Sequence, residues 1–480
     1  MQNMFCDDIS DSITNSYRKG SENAMEKEKK KIGLIGALLM GIGCIIGSGI
    51  FGTMPTVAAE YGPAIVYALL GAALVVILRA MSLLYTSSAL PTTAAQFMWA
   101  SKLFHPVLGA FVSISSLLMP TMVSLFGVLF ADYFLQLIPG LNISATASSV
   151  GLLVVFAIVA WFGNKTSVTV SNVMVVLLLL AIFLYVALGI PNIDAENVTF
   201  GEIIRPGIGL STIAAAVGVL TSSLSGASSV AQLANDIKRP ERNVPIALAL
   251  CPLFVAIVYV LMAVVTIGVV PYAEVTTLAD VASHFMSPAL LTFFIVGGPI
   301  CGIITSLVPV ALACVALVEY SARMKVFPSC FARRNSHGTA YWSLVLVMGI
   351  AIAICATGAT FGVVMTIFSF VNTLAEIPNT ITPILAHRKY PKTCDNSPVK
   401  MPYPLAVVLS IVTGLICAYL CYEMILTLDL TASLGILAVY VFGFVYFFFR
   451  VRYLKGKGHD LIAEMKAPYE PWEEKERSYN

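Results

Sequence analysis

"GIGCIIGSGIFG", residues 41–52, holds five glycines and one serine in twelve positions. It lies within an apolar run that begins at Ile32 and is long enough to cross a bilayer. Glycine is a weak helix former, and a membrane span is where backbone groups most need helical partners. Two readings stand for Gly43, Gly47 and Gly49. Small residues at helical spacing let a neighbouring helix approach closely. Alternatively the helix unwinds there and its freed amides face a ligand, which hydrocarbon tolerates only against protein or a water-filled cavity.

The surroundings make this span one of many. Of the 480 residues, 58% are hydrophobic and 11% charged, with mean hydropathy +0.88; a soluble domain carries about 25% charged residues. The chain therefore reads as an all-α, polytopic protein of the lipid bilayer. Its net charge of +2 carries no signal for nucleic acid. Residues 1–31 are polar, unlike a secretory leader. The ten cysteines show no paired spacing, and Cys44, Cys251, Cys301, Cys314, Cys355, Cys417 and Cys421 fall in apolar runs, as small buried hydrophobes do. With no cysteine–histidine cluster and no phosphate-binding loop, no metal, catalytic centre, cofactor or direct ATP drive is expected.

A span takes roughly 20 apolar residues. Twelve candidates fit: 32–57, 63–88, 106–137, 147–162, 168–189, 210–234, 245–269, 287–318, 341–357, 361–385, 404–422 and 428–449. The third is long enough to tilt or carry an interfacial extension, and Pro120 and Pro309 are candidate kinks. With the N-terminus inside, the inner loops collect the lysines and arginines, among them Lys102, Lys165, Arg239, Arg334 and Arg388. The outer loops hold only Arg205, while Glu60, Asp194, Glu274, Glu423 and Asp429 fall outside or at the outer edge. That asymmetry predicts an even number of spans with both termini cytoplasmic.

The sixth span bears on the glycine question. It reads "VLTSSLSGASSVAQLAND", residues 219–236, with five serines, Thr221 and Gly226 inside an apolar stretch. The first and sixth spans open two five-helix halves. Interruptions at matching places in two halves point to a transporter's binding site. A half-helix N-terminus offers amides and a positive dipole to a carboxylate. The carbonyls at a half-helix C-terminus suit an ammonium, and a free α-amino acid carries both charges.

These stretches resemble the amino acid–polyamine–organocation (APC) family of transporters. "GCIIGSGIF" (43–51) is similar to its helix 1 signature, and "SGASSVAQLANDIKRPERNVPIAL" (225–248) to its helix 6 and the following loop. "PTTAAQFMW" (91–99) is a weaker match, with alanines where a glycine pair is usual; "SARMKVFP" (321–328) is similar to the loop after helix 8. The resemblance covers about residues 32–450. It implies the inverted-repeat leucine-transporter fold: one five-helix repeat over 32–189, a second over 210–385, two further helices over 404–449, and cytoplasmic tails at 1–31 and 450–480. It implies a multi-pass permease of the plasma membrane that moves an amino acid by alternating access, as symporter or antiporter with H+ or Na+. It also implies that backbone at Ile45, Gly47, Ser48, Gly49 and Ile50 holds the substrate carboxylate. Carbonyls near Ile45, Ser222 and Ser225 would hold the amine, with Gly226 and Ser228 beside them.

Departures from the family pattern bear on substrate. Its arginine and polyamine exchangers carry a bulky aromatic before the helix 6 glycine and an acid after it. Here those positions resemble Ser222 and Ser228, and Trp99, Trp161, Trp342 and Trp472 all lie outside helices 6 and 8. A cationic side chain would find neither a cation–π face nor a counter-charge on helix 6. A zwitterionic, side-chain-neutral amino acid is therefore expected, with a cationic amino acid or polyamine exchanger as the alternative. A non-transporting sensor is the competing class; the short polar tails read as solvated charge with no output domain. An enzyme is not expected, since no mid-span histidine or paired carboxylates are present.

Coupling is less legible. Several proton-coupled relatives carry a lysine in helix 5, but residues 170–188 here include no ionisable group. A sodium site would draw on Thr305 and Ser306 of the eighth span, unless those hydroxyls bond their own helix backbone. Two charges fall well inside spans, Arg79 in the second and Glu376 in the tenth. Both lie about 22 to 24 Å from the outer end of their helices, in the inner third of a roughly 30 Å core. Intramembrane charges have a partner or a role. Arg79 has the reach to snorkel, whereas Glu376 is a candidate for a proton-linked group or for a partner of Arg79.

Overall fold

Hydrocarbon offers a peptide group no partner but another part of the chain, so apolar runs of this length fold as helices. The computed structural model describes residues 33–478 apart from 93, 139, 141, 163–167, 195–196, 198–208, 228–236 and 467–470. Among these residues the chain is mainly helical, with a bridge pairing Arg334 and Ala340. Eight described helices are long and apolar enough to cross a membrane, and four shorter apolar ones lie where the first, fourth, sixth and ninth spans are expected. In chain order they are α1 (34–61), α2 (Ala64–Ala89), α3 (Pro106–Leu137), α4 (Ala145–Trp161), α5 (Val168–Gly189) and α6 (Leu210–Ser223). The second set is α7 (Pro240–Val269), α8 (Pro288–Arg323), α9 (Tyr341–Ala356), α10 (Phe361–Thr380), α11 (Tyr403–Thr427) and α12 (Leu430–Gly456).

α1 lies at the centre, packed by α5, α7, α8 and the end of α6. α10 packs among α3, α6 and α11. The turn from α1 to α2 needs Gly62, whose φ of +54° is a left-handed conformation that glycine adopts without strain. α3 is not one straight rod: residues 116–119 form a turn, and Pro120 opens a fresh segment where its missing N–H leaves nothing unpaired. Pro309, by contrast, sits inside α8. α12 is the rim, with only Ile436, Phe447 and Leu454 buried and Leu430, Phe442 and Phe449 turned outward. It touches α3 closely at Gly443, where a Cβ would lie 2.6 Å from Ile114 Cγ2.

The end of the chain departs from the solvated tail expected of its charge. Two short helices, Leu461–Lys466 and Pro471–Ser478, fold back on the lysine- and arginine-rich end of the bundle. Leu461, Met465 and Trp472 are buried, Trp472 in one cluster with Tyr85, Trp99, Leu103 and Cys394. Glu473 pairs with Lys102 at 2.9 Å. The Glu476 carboxylate accepts from the Lys392 and Thr393 amides at 3.2 and 2.7 Å, capping the short helix Pro391–Asp395. The polar faces are thus spent on contacts, and one aromatic supplies the apolar anchor. Truncating a buried tryptophan costs about 3–5 kcal/mol. Trp472→Ala is therefore expected to lower the melting temperature of the purified protein and to speed proteolysis after residue 466. A tail held only by solvent would show neither change.

Candidate functional site

The two interruptions meet. α1 is α-helical to Ser48, widens into a π-turn over Gly49–Thr53, and resumes from Met54 to Tyr61. α6 stops at Ser223, turns through Leu224, and continues as one short 3-10 segment, Ser225–Ala227. A Cβ on Gly49 would lie 3.0 Å from the Ser223 carbonyl oxygen and 3.3 Å from the Tyr259 hydroxyl. The Ser223 hydroxyl donates to Thr53 Oγ1 at 3.0 Å. Glycine at 49 is thus what brings the π-turn onto the end of α6. Gly43 serves another contact, because a Cβ there would lie 2.6 Å from Val175 Cγ2 on α5.

α1 does not unwind at its glycines. A π-turn inserts an extra residue while keeping i→i+5 pairing, so the helix is distorted without leaving a run of bare amides. The carbonyls around it are held by tyrosines. Tyr259 of α7 donates its hydroxyl to the Ile45 carbonyl at 3.2 Å, and Tyr133 of α3 donates to that of Phe51 at 2.9 Å. Both rings are fully buried. Ile45 and Ile50 are buried too, while the side chains at 47 and 48 lie outside the described residues.

On α6, Thr221 donates to the Val217 carbonyl and Ser225 to that of Thr221, each at 2.6 Å. Ser222 is buried and its Oγ has no hydrogen-bond partner. Gly226 follows in the 3-10 segment, and Ser228 lies outside the described residues. Of the expected substrate residues, Gly49, Ile50 and Ser222 therefore sit at or beside the junction. Tyr133, Tyr259 and Thr53 were not anticipated there; the sign in the sequence is a hydroxyl within an apolar span, which needs a buried partner.

A cleft of about 270 Å³ opens above the junction at the acidic end of the bundle, with Thr53, Thr56, Val219, Phe361 and Thr366 in its walls and Glu60 and Asp429 among its lining. Phe361, at the start of α10, rests on the π-turn: a Cβ on Gly52 would lie 2.2 Å from its Cζ.

The ion-coupling candidates lie elsewhere. Thr305 donates to the Cys301 and Gly302 carbonyls of its own helix, and Ser306 is buried on α8. Glu376 and Arg79 form a pair, with Arg79 Nη2 3.6 Å from Glu376 Oε1. Gln96 donates to the same carboxylate oxygen at 2.6 Å. Arg79 does not snorkel; its side chain is 10% exposed and its Nη1 is buried without a partner.

Two substitutions test the junction. Tyr259→Phe removes the side-chain hydrogen bond to the Ile45 carbonyl, an expected loss of about 0.5–1.5 kcal/mol, read as a lower melting temperature in detergent. Gly49→Val, driven against the Ser223 backbone, is expected to lower it further.

Comparison with known proteins agrees with this architecture. The sequence model of a family described as "Amino acid permease" matches residues 32–455. The chain is similar to the methylthioribose transporter of Bacillus subtilis (strain 168), 25% identical over 412 residues that cover 80% of this chain and 86% of the relative. It is similar to the vacuolar cationic amino acid transporter 4 of Arabidopsis thaliana, 26% identical over 332 residues, 63% of this chain and 54% of the relative. It is also similar to the branched-chain amino acid permease BcaP of Bacillus subtilis (strain 168), 26% identical over 266 residues, 51% of this chain and 56% of the relative. The chain thus spans about half the length of the latter two. The match over nearly all the apolar helices, on an all-helical bundle whose first and sixth helices are both interrupted, shows that this protein belongs to the amino acid permease family of membrane transporters.

Proposed function

We propose that the protein is a secondary active transporter of a small zwitterionic amino acid with a neutral side chain, working by alternating access with H+ or Na+, in uptake or exchange. The observation that carries this reading is the junction of two interrupted helices, where Gly49 meets the end of α6. Neither the π-turn nor residues 210–227 include an ionisable side chain. Backbone at Ile45, Gly47, Ser48, Gly49 and Ile50 takes the substrate carboxylate when the π-turn opens its pairing during the transport cycle. Carbonyls near Ile45 and Ser222, with Ser225, Gly226 and Ser228, take the amine. The unpaired Ser222 hydroxyl remains for the ligand.

A cationic substrate is the second reading, since three relatives carry that description. Serine at 222 supplies no counter-charge, which favours the neutral solute. The charge asymmetry of the loops supports a cytoplasmic basic end and a plasma-membrane, multi-pass topology with both termini inside. The helix bundle around the junction is the unit we propose to rock, between the two five-helix repeats 32–189 and 210–385.

Counterflow in proteoliposomes tests the assignment. The panel holds labelled neutral, acidic and basic amino acids, putrescine, and methylthioribose, the solute named for one relative. Neutral amino acids are expected to exchange, and Ser222→Val to weaken them. Exchange of arginine or putrescine with none of the neutral amino acids would reverse the substrate class. Binding without counterflow of any solute would favour a sensor.

A further inference from the structure

Glu376 is one member of a polar face that crosses much of the membrane. Thr366, Ser369, Thr373, Glu376 and Thr380 follow at spacings of three and four residues, which puts them on one side of α10. From Thr366 to Thr380 the face runs about 21 Å along the helix axis. It starts in the acidic-end cleft, where Thr366 is in the wall. Ser369 is buried, with its Oγ 3.5 Å from the Val219 carbonyl of α6. Thr373 is buried with no partner for its hydroxyl, and both amide atoms of Asn379 are likewise unpaired. On α11, Ser410 and Thr413 are buried with unpaired hydroxyls, and the backbone at Gly414 approaches Thr380, whose Oγ1 would lie 3.2 Å from a Cβ there. Of the ten unpaired buried side-chain atoms among the described residues, six belong to α2, α10 and α11: Arg79 Nη1, Thr373 Oγ1, Ser410 Oγ, Thr413 Oγ1 and the two of Asn379.

Buried hydroxyls and amides left unpaired are costly, and where they cluster beside a charge they are served by ordered water. We propose that this face is a hydrated proton path and that Glu376 is its proton-binding site, separate from the junction that binds solute. The proposal rests on the transporter reading and narrows its coupling ion to H+. One positive charge at a time satisfies the carboxylate. While Arg79 is at hand the carboxylate is ionised. When α2 and α10 part, Arg79 reaches the basic end by its long stem, and the stranded carboxylate takes a proton on its oxygen, because an unpaired buried charge is costly. Re-forming the pair expels that proton. Gln96 is a positioning residue, fixing the carboxylate from the segment before α3.

Little else nearby competes for the proton. Helix α11 brings Cys417 and Cys421, both buried. α6 and the segment Ala95–Trp99 bring no ionisable group. α3 brings Asp132 and Tyr133 toward its acidic end, the latter committed to Phe51. The helix after α10 brings His387, stacked on Tyr85.

The full chain in proteoliposomes, given a solute from the counterflow panel, provides the test. Glu376→Gln is expected to keep counterflow and lose accumulation driven by a pH gradient. Thr373→Val is expected to slow gradient-driven accumulation several-fold while sparing counterflow. Infrared titration of the purified protein gives a readout that needs no solute: a protonated carboxyl band, sensitive to deuterium and missing from Glu376→Gln. Gradient-driven accumulation unchanged in Glu376→Gln, or a carboxyl band unchanged by that substitution, would overturn the proposal. If no solute in the panel moves, the transport reading fails by itself, and the infrared titration still decides whether Glu376 takes a proton.

Discussion

A carbonyl inside a bilayer has no water to turn to, and the middle of this protein is arranged around that scarcity. Interrupting a helix there frees backbone groups, and each must be met by something else. At the first interruption the chain compromises with a π-turn, and tyrosines from α3 and α7 take one carbonyl within it, that of Phe51, and one before it, that of Ile45. At the second, the helix stops, and serine and threonine hydroxyls bond back to their own carbonyls. The two solutions meet at Gly49, where the absence of a side chain lets backbone meet backbone.

The same scarcity governs charge. Arg79 and Glu376 approach end-on at 3.6 Å, with Gln96 completing the carboxylate's shell. A buried pair of this kind adds little stability by itself, since desolvation opposes attraction. Its presence within two apolar helices is better understood as a constraint on how α2 and α10 move relative to each other. α6 stands between the two polar centres. Its Ser223 binds Thr53 at the junction, and its Val219 carbonyl approaches Ser369 on the polar face of α10. A shift of α6 when solute binds would therefore be felt by both.

The C-terminal helix adds a third element, at the basic end. It links the segment before α3, through Lys102, to the one after α10, through Thr393 and Lys392. Gln96, which donates to Glu376 of the ion pair, lies in the first of these segments. The tail thus ties together the two connections that must separate if α2 and α10 part.

Much of this was legible without coordinates. Apolar runs were enough to place twelve apolar helices, because the bilayer excludes charge and unpaired backbone whatever the tertiary fold. The glycines near 49 and the serines near 223 marked the interruptions, since such residues are poor choices for a plain span. Arg79 and Glu376 were visible as misplaced charges at equal depth. Other features depended on side chains brought together from distant parts of the chain. The sequence alone was silent on whether Gly49 unwinds or packs, because the answer lies in Ser223 and Tyr259, both more than a hundred residues away. Nor did it pair Arg79 with Glu376, or show that a charged tail would bury Trp472. Hydropathy reports what each residue prefers; only the tertiary structure decides which neighbour meets that preference.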